Sequence, residues 1–355
     1  MMRCPSAPAA VPLRLASLAT VAAVVAVMAP GSRLPAADWP CVPDERSYAV
    51  FDALFLQRDN AAVERPLVVA TTAPAVPVIA AGDPVSTIGT GARVLYGTYG
   101  EHDVGWEVGY LGVYGMGADR LATDAGGRLE APNRSFAVRT GLVDGFSARL
   151  TDDMTVHSAE FNLVFHDYDG GFNRRSGRPW QRCDGYDGGH VDWIGGFRWA
   201  DVEDAAMLSI PRGSTPQAST YGVTTSSNLF AGQVGVRGRM AFERWALEGT
   251  MKIGIAGTML SQSQTLFDPL AAPFRKPKSS DTAGMGMIAE IGPSAVYRLS
   301  DVWGLRVGYN MLWFTGVALA PDQFDFTPTA AGGTNIVGAG SVFLSGGSLG
   351  LEARW

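Results

Sequence analysis

The stretch GGSLGLEARW, residues 346–355, decides how the rest of the chain is read. Taken by twos, Trp355, Ala353, Leu351, Leu349 and Gly347 form one face, and Arg354, Glu352, Gly350 and Ser348 form the other. Strict alternation is the period of a β-strand with one apolar and one polar side. The pattern recurs upstream. In VGWEVGYLGVYG (104–115), Val104, Trp106, Val108, Tyr110 and Tyr114 oppose Glu107. In RWALEGTMKIGIAG (244–257), Trp245, Leu247, Met251, Ile253 and Ile255 oppose Glu248, Thr250 and Lys252. In VWGLRVGYNMLWF (302–314), Trp303, Leu305, Val307, Tyr309, Met311 and Trp313 oppose Arg306 and Asn310.

Twelve strands are expected, near 47–57, 90–99, 104–116, 135–150, 154–166, 190–201, 205–210, 222–241, 245–260, 284–298, 302–316 and 341–355. Prolines at 211 and 216 interrupt the seventh. The gaps alternate in length. Short ones are EHD (101–103), TDD (151–153), DVED (201–204), FER (242–244) and LSD (299–301). Long ones cover 58–89, 117–134, 167–189, 211–221, 261–283 and 317–340. That sorting predicts an all-β, antiparallel, up-and-down transmembrane β-barrel of about twelve strands, with short periplasmic turns and long extracellular loops. In lipid every backbone N–H and C=O needs a partner, so such a sheet closes on itself.

Composition fits. Charged residues make up 17% of the 355 and hydrophobic residues 46%, below and within the usual ranges of a soluble domain. The net charge of −6 gives no basic footprint for nucleic acid. Arg3 and Arg14 precede LASLATVAAVVAVMA (15–29), too short to span as a helix but fit for the apolar core of a signal peptide. Residues 1–37 are therefore expected to be a cleaved export signal, 38–46 a short periplasmic segment and 47–355 the barrel. The expected location is the outer membrane of a Gram-negative envelope.

Aromatics sort to the strand ends, as rings at headgroup level do. Trp106, Trp245, Trp303, Tyr297 and Trp355 are expected at the periplasmic girdle, and Tyr114, Trp193 and Trp313 at the outer one. A last strand ending on an aromatic resembles the C-terminal signal read by the outer-membrane barrel assembly machinery. That machinery and outer-membrane lipid are the expected partners.

A family resemblance lies mainly in the C-terminal half. NLFAGQVGVRGRMAFERWALEGTMKIGIAG (228–257), RLSDVWGLRVGYNMLWFTGVALAPDQ (298–323) and the LGLEARW ending resemble the outer-membrane β-barrel porin family of planctomycetes. YAVFDALFLQRDN (48–60), ERPLVVATTAP (64–74) and GGFRWADVED (195–204) fit more loosely, and GVALAPDQ (316–323) is the most specific piece. Residues 117–190 depart from the pattern. The resemblance implies a pore-like barrel and no defined substrate, so it transfers no functional residues.

The predicted pore-lining residues are Arg93, Glu107, Arg139, Glu160, Arg198, Arg237, Arg239, Glu248, Lys252, Glu290, Arg306, Glu352 and Arg354, joined by Asp52, Arg149, Asp192 and Arg298. A water-filled lumen of this kind would pass small polar or ionic solutes with a mild anion bias. The alternative is that opposite charges pair across strands and fill the barrel, leaving a non-conducting structural or surface-contact protein. A barrel of this size falls between filled small barrels and open porins. Enzymatic activity is not expected; the remaining alternative is an outer-membrane hydrolase with His166, His190, Asp167 and Asp192 converging at the outer rim. His157 and Ser158 are adjacent in a strand and point to opposite faces, while His102, His166 and His190 belong to loops or strand ends. No cofactor is expected. Asp167, Asp169, Asp184 and Asp187 lie in an Asp-Gly-rich loop without an EF-hand spacing, a turn former before it is a calcium site. Cys41 and Cys183 are expected on opposite sides of the membrane and hence unbridged.

Overall fold

A computed structural model describes residues 47–59, 62, 64–72, 75–100, 104–167, 190–213, 217–241 and 244–355. The expected signal peptide, residues 38–46 and all three cysteines lie outside these.

In chain order the strands are β1 (Ser47–Asp59), β2 (Pro66–Ala70), β3 (Val76–Ala80), β4 (Gly89–Tyr99), β5 (Val104–Thr123), β6 (Leu129–Glu130), β7 (Ser147–Asp167), β8 (His190–Pro211), β9 (Ala218–Ala241), β10 (Trp245–Phe267), β11 (Lys278–Arg298), β12 (Trp303–Val317) and β13 (Gly340–Arg354). Among the described residues, one helix, α1 (Arg134–Thr140), and a 3-10 turn at Ala320–Gln323 complete the set. Ten strands close an antiparallel barrel in the order β1-β13-β12-β11-β10-β9-β8-β7-β5-β4, and β4 pairs back onto β1. β3, β2 and β6 form a separate small sheet. The closing seam runs from Tyr48 opposite Arg354 to Asp59 opposite Phe343. At its end Ser47 and Trp355 exchange backbone hydrogen bonds of 2.9 Å. The expected alternation is visible in β10, where burial switches at nearly every residue from Trp245 to Phe267.

The barrel has ten strands rather than about twelve because two expected turns are strand interior. TDD (151–153) lies within β7 and DVED (201–204) within β8. Asp is a turn former, but here the alternation runs straight through it. Leu150, Asp152, Met154 and Val156 are buried on one side, as are Val202, Asp204, Ala206, Leu208 and Ile210 on the next strand. Arg58 supplies the counter-charge that lets Asp152 and Asp204 stay inside. The strand expected at 135–150 is instead α1 followed by the start of β7. Asn133 caps α1 by accepting from the amides of Ser135 and Phe136, and Gly141 ends it in the left-handed region.

Losing two turns reassigns the rims. The termini and the turns 100–103, 242–244 and 299–302 share one rim, the terminal rim. Segments 60–88, 124–146, 268–277 and 318–339 leave the opposite loop rim. Two connections break the length rule. The short 212–217 is on the loop rim, and 168–189 joins β7 to β8 on the terminal rim rather than the outer one. Trp193, three residues into β8, therefore joins Trp106, Trp245, Trp303 and Trp355 at the terminal rim, contrary to its expected outer position. The segments carrying Cys41 and Cys183 attach to the same rim, which removes the argument that a membrane separates them.

The wall is uneven. β7 to β11 run 21 to 24 residues, whereas β1, β4, β12 and β13 run 11 to 15. The long strands rise past the apolar belt on one side, and the segments from the loop rim pack inside them. Leu54, Leu56, Met116, Leu150, Val202, Leu208 and Phe314 form the upper interior with Leu319 and Phe324 of the loop and Phe136 of α1. Each fully buried aliphatic or aromatic side chain of this kind contributes about 1.5–3 kcal/mol.

Candidate functional site: the barrel interior

The interior is built in two layers. On the terminal half, inward positions on every strand of the barrel carry ionised side chains, with the two signs in balance. In one group, Arg93 reaches Asp52 Oδ2 at 2.8 Å and Glu290 Oε1 at 3.1 Å, and Arg198 meets Glu290 Oε2 at 2.5 Å. Lys252 extends it, with its Nζ 2.7 Å from Glu160 Oε1 and 3.5 Å from Glu290 Oε2. Nearer the rim, Arg237 donates to Glu107 Oε2 at 2.6 Å and to the Tyr48 hydroxyl at 2.9 Å. Tyr48 in turn donates to the same Glu107 oxygen at 2.6 Å. Tyr99 reaches Asp192 Oδ2 at 3.0 Å. The third group joins Arg306 to Glu248 at 2.8 Å and to Glu352 at 3.2 Å, and Arg239 to Glu352 at 2.6 Å, with Arg354 on Glu352.

Such pairs offset the cost of taking charge out of water only when geometry and hydrogen bonding are good. Here the alternation of each strand fixes every inward position, and antiparallel register brings opposite signs together across the barrel. Most of these side chains are buried; Glu107, Asp52 and Asp192 are 0% exposed. A space left among them, beside Tyr48, Arg93, Arg237 and Glu290, is about 30 Å³, room for about two waters. A second, beside Arg93, Ser158 and Arg198, is about 10 Å³.

Above the charged layer sits the apolar one, and the segment after β12 closes it. Asp204 Oδ2 accepts from the Ala320 amide at 2.8 Å, and Ser227 Oγ accepts from the Ala318 amide at 3.0 Å. Thr225 donates to the Ala318 carbonyl at 2.7 Å, and Gln264 donates to that of Gln323 at 2.8 Å. Arg65 donates to the Phe324 carbonyl. Arg275, 2% exposed, donates to the carbonyls of Asp325, Thr327 and Thr329 while its guanidinium lies over the Phe136 ring. GVALAPDQ (316–323) is thus the piece that enters the barrel mouth: Val317 to Gln323 are all buried.

Of the seventeen predicted lining residues, fourteen project into the interior as described, within a packed ion-pair network. Arg139 does not. It belongs to α1 on the loop rim and donates to the Pro328 carbonyl at 3.1 Å. The expectation fails there because 134–140 is helix rather than strand. Arg149 faces outward and binds Asp119, and Arg298 is exposed at the end of β11. Arg58, Asp152 and Asp204 were missed, although the uninterrupted alternation around both aspartates carried the signal. His157 points outward and Ser158 inward, where Ser158 meets Arg198 and the Trp199 carbonyl. His102, Asp169, Asp184 and Asp187 lie outside the described residues, as do the side chains of His166, Asp167 and His190.

No protein-family model and no curated protein matches the chain. Among solved structures, the outer membrane protease OmpT from Escherichia coli aligns over 89% of this chain and 99% of its own, at 11% identity and a TM-score of 0.51. A major outer membrane protein from Thermus thermophilus aligns over 87% and 98%, at 9% identity and a TM-score of 0.34. The toluene transporter TodX of P. putida aligns over 88% and 90%, at 9% identity and a TM-score of 0.19. The first of these shows the fold, a closed antiparallel barrel of the outer-membrane type.

Proposed function

We propose that this protein is a non-conducting outer-membrane barrel that fills its own lumen and presents a loop-built platform at the rim opposite its termini. One observation carries the reading: inward side chains from every barrel strand meet in ion pairs across the lumen, and the space beside Tyr48, Arg93, Arg237 and Glu290 is about 30 Å³. A porin needs a continuous water path, and here Arg and Lys are matched by Asp and Glu rather than lining open water. The expected anion bias goes with it, since paired charges leave no basic excess facing solvent. The barrel works without turnover or cofactor. The resemblance to the planctomycete porin family is part of the proposal: its most specific piece, GVALAPDQ, is the segment that closes the mouth.

The test is single-channel recording of purified, refolded protein in a planar bilayer. Folding is checked by slower migration after boiling. Repeated insertions without current are expected. Steady ohmic steps would return the pore to first place, and their reversal potential in a salt gradient would give its selectivity.

A further inference from the structure

The outside of the barrel carries a polar row that neither a closed lumen nor an open one explains. Gly112, His157, Asp201, Asn228 and Met259 are direct cross-strand partners in turn across β5, β7, β8, β9 and β10. All face outward. Below the row on the same wall the outward residues are apolar, among them Val108, Phe161, Phe197 and Phe230. Above it they turn polar at Asp153, Thr155, Glu203 and Thr224. The row therefore marks where hydrocarbon gives way to headgroups on this sector.

Its side chains are tied to one another. The Tyr110 hydroxyl lies 2.7 Å from His157 Nδ1, and the Tyr114 ring meets the imidazole edge-on at 5.2 Å. Gly112 makes the room: a Cβ there would stand 3.0 Å from the Tyr114 hydroxyl and 3.2 Å from that of Tyr110. Ser226 donates to Asp201 Oδ1 at 3.1 Å, and Trp199 Nε1 donates to Asn228 Oδ1 at 3.0 Å. Fixed in this way, the row presents aromatic faces and oxygen acceptors rather than mobile side chains.

The charge is one-sided. From this row upward through Glu203 and Asp153, the outward positions of β7 and β8 carry three carboxylates and no lysine or arginine. A bare phosphate would be repelled. An ammonium meets carboxylates, hydroxyl oxygens and the faces of Tyr110, Tyr114 and Trp199, the surroundings that hold amines elsewhere. On the opposite sector, β12 presents Trp313 outward and β1 presents Phe55.

We propose that this sector of the outer wall is a docking site for the ammonium headgroup of a zwitterionic phospholipid of the ethanolamine type. The site holds one lipid against β5–β9 at the edge of the apolar belt.

The experiment is native mass spectrometry of delipidated protein titrated separately with phosphatidylethanolamine and phosphatidylglycerol. Phosphatidylethanolamine should be retained about two- to fivefold more, the range one such pair supplies at a partly exposed site. Asp201→Asn combined with Glu203→Gln should bring retention down to the phosphatidylglycerol level, whereas Trp313→Leu should leave it unchanged. Slower migration after boiling confirms that each variant is folded. Equal retention of the two lipids, or full retention by the double variant, overturns the proposal. So does equal retention of a glycolipid that carries no ammonium, since hydroxyl recognition would then account for the binding.

Discussion

Arg58 is the residue on which the upper interior turns. It is 6% exposed and serves Asp152 and Asp204, and Asp204 in turn holds the Ala320 amide of the closing segment. Removing one member of a buried ionic group strands the others, at a cost of about 3–5 kcal/mol. Arg58→Met should therefore lower the urea midpoint of the folded barrel and expose 318–339 to protease, with a larger effect than any exposed pair such as Arg149–Asp119. Asp325 gives a pH-dependent counterpart on the loop rim. Burial raises its carboxyl, but the Thr327 hydroxyl and amide, the Gly333 amide and the Arg275 guanidinium outweigh burial and hold it below the ordinary carboxylate range. Its contribution is complete above the unfolded value of about 3.9 and lost as pH falls through the lower folded one. Pepsin cleavage within 318–339 should accordingly rise, relative to Asp325→Asn, as pH drops from about 4 to about 2. A rate ratio constant across that range would remove Asp325 from the account.

Among the elements, β5 shows how little is needed to change a strand's inward set. Up to Val113 its odd positions face the interior, and beyond the bulge between Val113 and Met116 its even positions do. Gly115 takes the left-handed region there, at φ 70°. Gly115→Ala should cost about 1–2 kcal/mol and loosen Met116, which is fully buried. Near-wild-type thermal stability of that variant would show the bulge to be soft. The same bulge illustrates what periodicity can reveal. The strand up to Tyr114 is readable from alternation, but the continuation to Thr123 is not, because the bulge inverts the phase. In β7 and β8 the failure ran the other way. The phase continues across Asp152 and Asp204, although Asp is a turn former. Helix α1 escaped because seven residues hold too few turns for a period to show.

For the whole molecule, two independent layers close the lumen, and they can be separated. Replacing 318–337 by a short Gly-Ser connector, which removes the closing segment with its anchors at Ala318, Ala320 and Gln323, should leave the bilayer recordings silent. The ion-pair layer below, from Asp52 and Glu290 to Glu352, is untouched by that replacement. Current through the trimmed protein would mean that the charged layer is passable and that the loop alone is the barrier. The uneven wall belongs to this scale as well. The long strands β7–β11 hold the loops from one side, which is how segments distant in sequence, such as Arg275 and Thr329, come together.

Local pattern alone is enough to set the class of this protein. A period of two, an apolar face on each strand and aromatics at strand ends leave a closed membrane barrel as the consistent solution, because unpaired backbone is not tolerated in lipid. Along an uninterrupted strand the pattern also points to the inward side chains, since phase is local there, but it misplaces Arg139, Arg149 and Arg298 and loses the phase at the β5 bulge. Strand number, the rim at which β7 is joined to β8, and whether inward charges line water or meet one another emerge only from the closed barrel. Those outcomes depend on distances across the barrel. Arg58 stands far from Asp152 and Asp204 along the chain, and Arg237 far from Glu107, and their pairing exists only once ten strands have closed.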